Sequence, residues 1–183
     1  MDAKKSGKWQ YPDKQQFFQQ RGSGNNWAHG FCVHGPKAKE SVLEMVQKEA
    51  EKCDNLGGFL SLMSLAGGTG SGVGAYITEC LRDEFPHSFI LNQVVWPYNT
   101  GEVIVQNYNA LLTLSHLYRT VDAIIVMQND HLHQICSQLL NIKKISFKDI
   151  NKVICHKLLS ILSPATLHKY PGYTCSNSIG KLF

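Results

Sequence analysis

Apolar positions along this chain follow two alternating rhythms. Phe59 to Leu65 (FLSLMSL), Ser88 to Trp96 (SFILNQVVW) and Ala123 to Met127 (AIIVM) are short, nearly unbroken apolar runs that read as buried strands. Between them the apolar residues spread to helical spacing. From Pro36 to Cys53, the residues Val42, Met45, Val46 and Cys53 share a face with Lys and Glu between them, and Pro36 suits a first turn. Val73 to Phe85 predicts a helix that stops before Pro86, and Glu102 to Arg119 predicts another, with Val103, Val105, Leu111, Leu114 and Leu117 among its apolar positions. Asn129-Asp130 is expected to cap a helix running to about Leu140. Ser146, with Asp149 three residues on, resembles a capping box opening a last helix to about Leu162, ended by Pro164.

Strands alternating with helices predict an α/β layer with a parallel sheet, and such sheets bind ligands at the carboxyl ends of their strands. Each predicted strand here is followed by a Gly- or Asn-rich polar segment. Residues 1–21, with five glutamines and four lysines, read as a polar lead-in, and the tail 164–183 lacks periodicity and is expected to be unstructured.

Composition narrows the class. A chain of 183 residues, 43% apolar and 17% charged, is long enough for one domain with a core. Lys+Arg 18 against Asp+Glu 14 leaves +4, too weak and scattered to argue for nucleic acid or a membrane surface. No run approaches the ~18 apolar residues of a membrane span, and MDAKKSGKWQYPDKQQ lacks the apolar run of a secretory signal. Cys32, Cys53, Cys80, Cys136, Cys155 and Cys175 form no CxxC pair, so reduced thiols in an intracellular protein are expected.

The segment Ala66-Gly67-Gly68-Thr69-Gly70-Ser71-Gly72, set between a strand and a helix, carries the strongest chemical signal. Closely spaced glycines let backbone amides converge, the helix N-terminus adds partial positive charge, and Thr69 and Ser71 add hydroxyls, which together suit a phosphate. A plain connection between strand and helix rarely needs four glycines in seven residues. No lysine follows, so the GxxxxGK[ST] pattern is absent. Gly70-Ser71-Gly72-Val73-Gly74-Ala75 fits the loose dinucleotide fingerprint, but the acid that a ribose would require is missing from Gln93 to Trp96, and none occurs before Glu102. An NAD-type site is therefore the weaker reading.

Arg21-Gly22-Ser23-Gly24-Asn25-Asn26-Trp27 supplies a second cluster of exposed amides. Asn129 and Asn151 each offer a donor and an acceptor suited to a purine edge, or else serve as caps or surface residues. Phe147, one turn before Asn151, either stacks on a base or packs in the core. His131 and His133 diverge on a helix, and His29 and His34 flank Cys32 in an expected loop without a fourth ligand, so no metal site is expected. No Ser/His/Asp or Cys/His arrangement can be placed.

Taken together, GSGNNWAHG at Gly22–Gly30, the glycine loop Ala66–Gly72, TGEVIVQNYNALLTLSHL at Thr100–Leu117, QND at Gln128–Asp130 and SFKDIN at Ser146–Asn151 resemble the tubulin family in order and spacing, from about Trp9 to Leu162. Ala66 stands where alpha- and beta-tubulins have a glycine, and WPYNTGEVIVQNYN, LTLSHLYR and Phe147 look like the delta class instead. The resemblance implies a partial Rossmann-like parallel sheet of the tubulin GTP-binding domain with flanking helices over 22–145, a long core helix at 146–163 and a divergent tail. It implies that Ser64, Ala66, Gly67, Gly68, Thr69, Gly70, Ser71 and Gly72 wrap the phosphates of GTP and that Asn25 approaches the terminal phosphate. Glu102 would lie on the ribose side, replacing an aspartate of the commoner tubulins. Asn129 and Asn151 would read guanine, and Phe147 would stack on it.

The family's opening strand with its glutamine loop, the acidic loop that supports Mg2+, the intermediate domain and the C-terminal helices have no match here, so a truncated nucleotide domain is expected. Other tubulins and microtubules are the implied partners, in cytoplasm and cytoskeleton at centrioles, basal bodies and cilia. Hydrolysis in the family uses an acid from the next subunit, so self-stimulated GTPase activity is not expected. The alternative is an interaction fragment that binds tubulins without nucleotide.

Overall fold

The computed structural model describes residues 12–101 and 103–163, with the backbone of two short pieces beyond, Ala165–Thr166 and Thr174–Cys175. Three strands form where the apolar runs predict them: β1 (Gly58–Ser64), β2 (Phe89–Trp96) and β3 (Ala123–Gln128). All are parallel in the order β1-β2-β3, with Met63 beside Val94 and Val94 beside Val126. The expected α/β architecture with flanking helices is the one observed.

The helices are α1 (Trp27–His29), α2 (Gly35–Ala50), α3 (Gly74–Glu84), α4 (Gln106–Thr120), α5 (Asn129–Gln134) and α6 (Phe147–Leu162). Wide, π-type turns at Gly30–His34, Thr69–Val73 and Ile135–Leu139 join α1 to α2, lead into α3 and extend α5. Two helix starts differ from expectation. The segment holding His29, Cys32 and His34 is helical, because the Asn26 side chain caps it by accepting the His29 N–H at 3.1 Å. Conversely, α4 begins at Gln106 rather than Glu102. The run Val103-Ile104-Val105 is β-branched and a poor helix starter, and the Gln106 side chain and Gly101 N–H both bond the Tyr98 carbonyl, which fixes a turn there.

Of the two expected caps, one is displaced and one is present. Asn129 is itself the first residue of α5, not its cap: Gln128 holds that position, and the Asp130 carboxylate instead accepts the Asn99 N–H at 2.9 Å. At α6 the expected Ser146–Asp149 pairing is present, with the carboxylate accepting the Ser146 N–H at 3.0 Å and its hydroxyl at 2.6 Å. In the tail, Ala165–Thr166 pairs antiparallel with Thr174–Cys175, a ladder too short to leave a periodic signal in the sequence. The rest of 164–183 lies outside the described residues.

Side chains alternate across the sheet, so each face builds its own core. On one face Met63, Val94, Trp96 and Ile124 pack with Leu65, Ala110, Leu114 and Leu117, under α4. On the other, Met127 and Ile125 pack with Leu132 and Cys136 of the α5 region and with Ile150 and Val153 of α6. Burying side chains of this size is worth roughly 1.5–3 kcal/mol each and fixes both helical layers on the sheet. At the amino end of the strands, Arg82 donates to the carbonyls of Thr120, Pro86 and Ser88 and to the Asp122 carboxylate. That carboxylate also accepts the Ile90 N–H at 2.8 Å.

Candidate functional site

Both polar clusters singled out from the sequence meet beyond the carboxyl end of β1. The chain leaves Ser64, passes Leu65 into the core and turns through Ala66–Gly72 into α3. The loop from Gly22 to Asn26 arrives beside it. Gly24 and Asn25 both adopt left-handed backbone (φ 59 and 55), which turns this loop sharply into α1.

Backbone packing between the two clusters is very close. A Cβ at Gly30 would sit on the Gly68 carbonyl, one at Gly72 would overlap the Trp27 carbonyl, and one at Gly68 would come within 2.6 Å of the Asn26 backbone. Three glycines therefore let α1 and the turn into α3 interlock. Trp27 seals this contact, stacked on Phe31 with centroids 4.6 Å apart and tilted against His116 at 5.1 Å. Gly67 is different: the nearest atom to a Cβ there is the Asn25 side-chain oxygen at 3.4 Å. Asn25 and Gly67, both named as phosphate ligands, are thus neighbours, and Asn25 is exposed.

The hydroxyls divide in the same way. Ser71 is fully buried and donates its Oγ–H to the Gly67 carbonyl, bracing the loop from inside. The Thr69 hydroxyl lies 3.1 Å from that of Ser23 and so ties the two loops together. Ser64 is exposed, and its Oγ accepts the Ala66 N–H at 3.4 Å. A Cβ at Gly70 would meet the Ser64 backbone at 3.2 Å, so this glycine lies close to the end of β1.

A residue not singled out from sequence holds this arrangement. Asn109, on the buried face of α4, accepts the Trp27 N–H on Oδ1 at 3.1 Å and donates from Nδ2 to the carbonyls of Asn25 and Ala66, both at 2.8 Å. The available signal was an amide one and two turns before Thr113 and Leu117 on one helix face, since a polar group at a core position must find partners.

The remaining candidates divide between the end of β3 and helix α6. Glu102 is outside the described residues. Asn129 opens α5 directly after β3 and is half-buried. Phe147 and Asn151 stand one turn apart on α6 and are both exposed, Phe147 at 77%. Core packing, the competing reading of Phe147, is excluded by that exposure, because Ile150 and Val153 supply the buried face of the helix. The helices carrying Asn129 and Asn151 pack together through Leu132, Cys136, Ile150 and Val153. Among the described residues no group of three or more His, Cys, Asp or Glu side chains is arranged to hold a metal ion, and no helix is long and apolar enough to cross a membrane.

A parallel sheet with a glycine-rich turn between its first strand and the following helix is a Rossmann-like α/β arrangement, a class that takes ligands at the carboxyl ends of its strands. The family model for the Tubulin/FtsZ family, GTPase domain, matches residues 1–137, and the chain belongs to that family. The match includes the polar lead-in. Among curated relatives, the tubulin delta chain of Canis lupus familiaris is 57% identical over 162 residues, covering 88% of this chain and 36% of its own. Those of Macaca fascicularis and Homo sapiens are 52% and 51% identical over 180 residues, covering 98% of this chain and 40% of theirs. This chain therefore spans about two-fifths of the length of the relatives it matches, and the longer alignments extend through most of the tail beyond residue 163.

Proposed function

We propose that this chain is a delta-type tubulin module that binds GTP at the carboxyl ends of β1 and β3. The observation that carries this reading is the exposed Phe147, a large aromatic ring left uncovered one turn from an exposed amide, on the helix that packs against the one Asn129 opens. In this reading the Ala66–Gly72 backbone and Asn25 receive the phosphates, with Gly67 on the open side and Ser71 and Thr69 bracing the loop. Asn129 and Asn151 pair with the guanine edge, where an amide can accept and donate at once, and Phe147 stacks on its face. Glu102 is assigned to the ribose side. Mg2+ would come with the phosphates, held by their oxygens, since the acidic loop that supports it in the family has no match here. Resemblance to the delta class leads us to assign a cytoskeletal setting with other tubulins and microtubules as partners, at centrioles, basal bodies and cilia.

Equilibrium binding of labelled GTP to the purified chain, competed with unlabelled GTP, ATP and NAD, tests this. Competition by GTP alone is expected. Asn151→Asp loses a donor and should weaken GTP by about 1–3 kcal/mol, and Phe147→Ala should cost a similar ~1–3 kcal/mol of stacking without lowering Tm. Displacement by NAD, or equal competition by ATP, would refute the guanine assignment.

A second reading, a tubulin-binding module that needs no nucleotide, is favoured by exposed Tyr108, Leu111 and Tyr118 on α4. It predicts capture of tubulin in nucleotide-free buffer, unchanged by added GTP.

A further inference from the structure

We propose that Asn109 is a positioning residue that sets the two loops for a phosphate-bearing ligand; this rests on the nucleotide reading above. Asn109 is only 3% exposed, and its side chain bonds backbone of the two loops and of the first residue of α1. The carbonyl of Asn25 and that of Ala66 both point to Nδ2 at 2.8 Å. A carbonyl oxygen carries partial negative charge and repels an anion. Drawing both toward α4 removes them from the face a phosphate would meet.

Peptide geometry gives the second half of the argument. The peptide between Ala66 and Gly67 is planar and trans, so its N–H points opposite to its carbonyl. With the Ala66 oxygen held by Asn109, the Gly67 N–H is directed away from that amide. Oδ1, taking the Trp27 N–H, fixes the amide's own orientation so that Nδ2 faces the two loops. One side chain thus reaches three backbone groups at positions 25, 27 and 66, more than forty residues away in sequence.

The test uses the full chain with GTP and guanosine as probes, each titrated by ligand-detected NMR, because guanosine lacks the groups the loops would grip. Asn109→Asp keeps the acceptor for Trp27 and sets a carboxylate against two carbonyls. Asn109→Ser, smaller and uncharged, removes the two-pronged donor and guards against a charge that prevents folding. Both are expected to lower GTP affinity by about 10-fold or more, as for buried polar groups left unpaired. Guanosine affinity should stay within about twofold, since base contacts are made elsewhere. Thr113→Val, one turn along α4 and bonded only to the Asn109 carbonyl, should leave the ratio of the two affinities unchanged. A parallel loss of both ligands in the Asn109 variants, or unchanged GTP binding, overturns the positioning role. Wild-type chain that binds GTP no better than guanosine would instead defeat the phosphate reading, and the proposal with it, before any variant is compared.

Discussion

A methyl group at position 72 has nowhere to go, because the Trp27 carbonyl already occupies the space. The neighbour is backbone and cannot yield as a side-chain tip can. Gly72→Ala is therefore expected to destabilise the fold by about 3 kcal/mol, the upper end of the cost of overpacking, read as a lower Tm. Gly67→Ala meets only the Asn25 side chain at ordinary contact distance. It should melt within about 1 kcal/mol of wild type yet bind GTP more weakly, since its methyl projects beside Asn25. Equal melting of the two variants would contradict this division. From sequence the glycine cluster is conspicuous, but nothing in the string Gly67-Gly68-Thr69-Gly70-Ser71-Gly72 separates the glycine left open from those that face another backbone. Asn109 was hidden for a related reason: its partners lie at positions 25, 27 and 66, and no local pattern points to them.

At the scale of elements, the Arg82–Asp122 clamp joins the end of α3 to the starts of β2 and β3, opposite the candidate site. Burial alone would raise the Asp122 pKa, but the Ile90 N–H and the Arg82 guanidinium outweigh it and hold the carboxyl below its ordinary value of 3.8. A depressed carboxyl contributes stability above its unfolded pKa and loses it as pH falls through the folded one. The clamp's contribution should thus be whole at neutral pH and vanish in the acid range below about 3.8. Arg82→Ala is expected to cost about 1–2 kcal/mol, reduced by the partial exposure of the pair. In urea melts at pH 7 and pH 3, the difference between Arg82→Ala and wild type should shrink at the lower pH, while GTP binding at pH 7 stays unchanged. The three strands were legible because unbroken apolar runs have few other uses. The helical stretch from Trp27 to His34 was not, because Gly30 and Gly35 suggest a loop until their packing against Gly68 and Tyr76 is seen.

For the molecule as a whole, the sheet is covered unevenly. The face that packs α5 and α6 is closed over Ile125 and Met127, but on β1 it leaves Leu60 and Leu62 open, the latter 64% exposed. Apolar side chains on an edge strand invite association. Leu62→Lys should leave Tm within about 0.5 kcal/mol of wild type while reducing self-association in sedimentation velocity. An unchanged distribution of species would show that this patch does not drive association.

The division of the core into two has a mechanical corollary. The loops assigned to the phosphates belong to the layer built on Met63, Val94 and Leu117, whereas Phe147 and Asn151 ride on the layer built on Met127 and Ile150. The three-stranded sheet is the main joint between those layers, with the Gln106–Tyr98 and Asn99–Asp130 bonds beside it, so each has latitude to loosen on its own. A ligand gripped at both ends would act as a rivet through the sandwich, and the two halves would then come apart together rather than in turn.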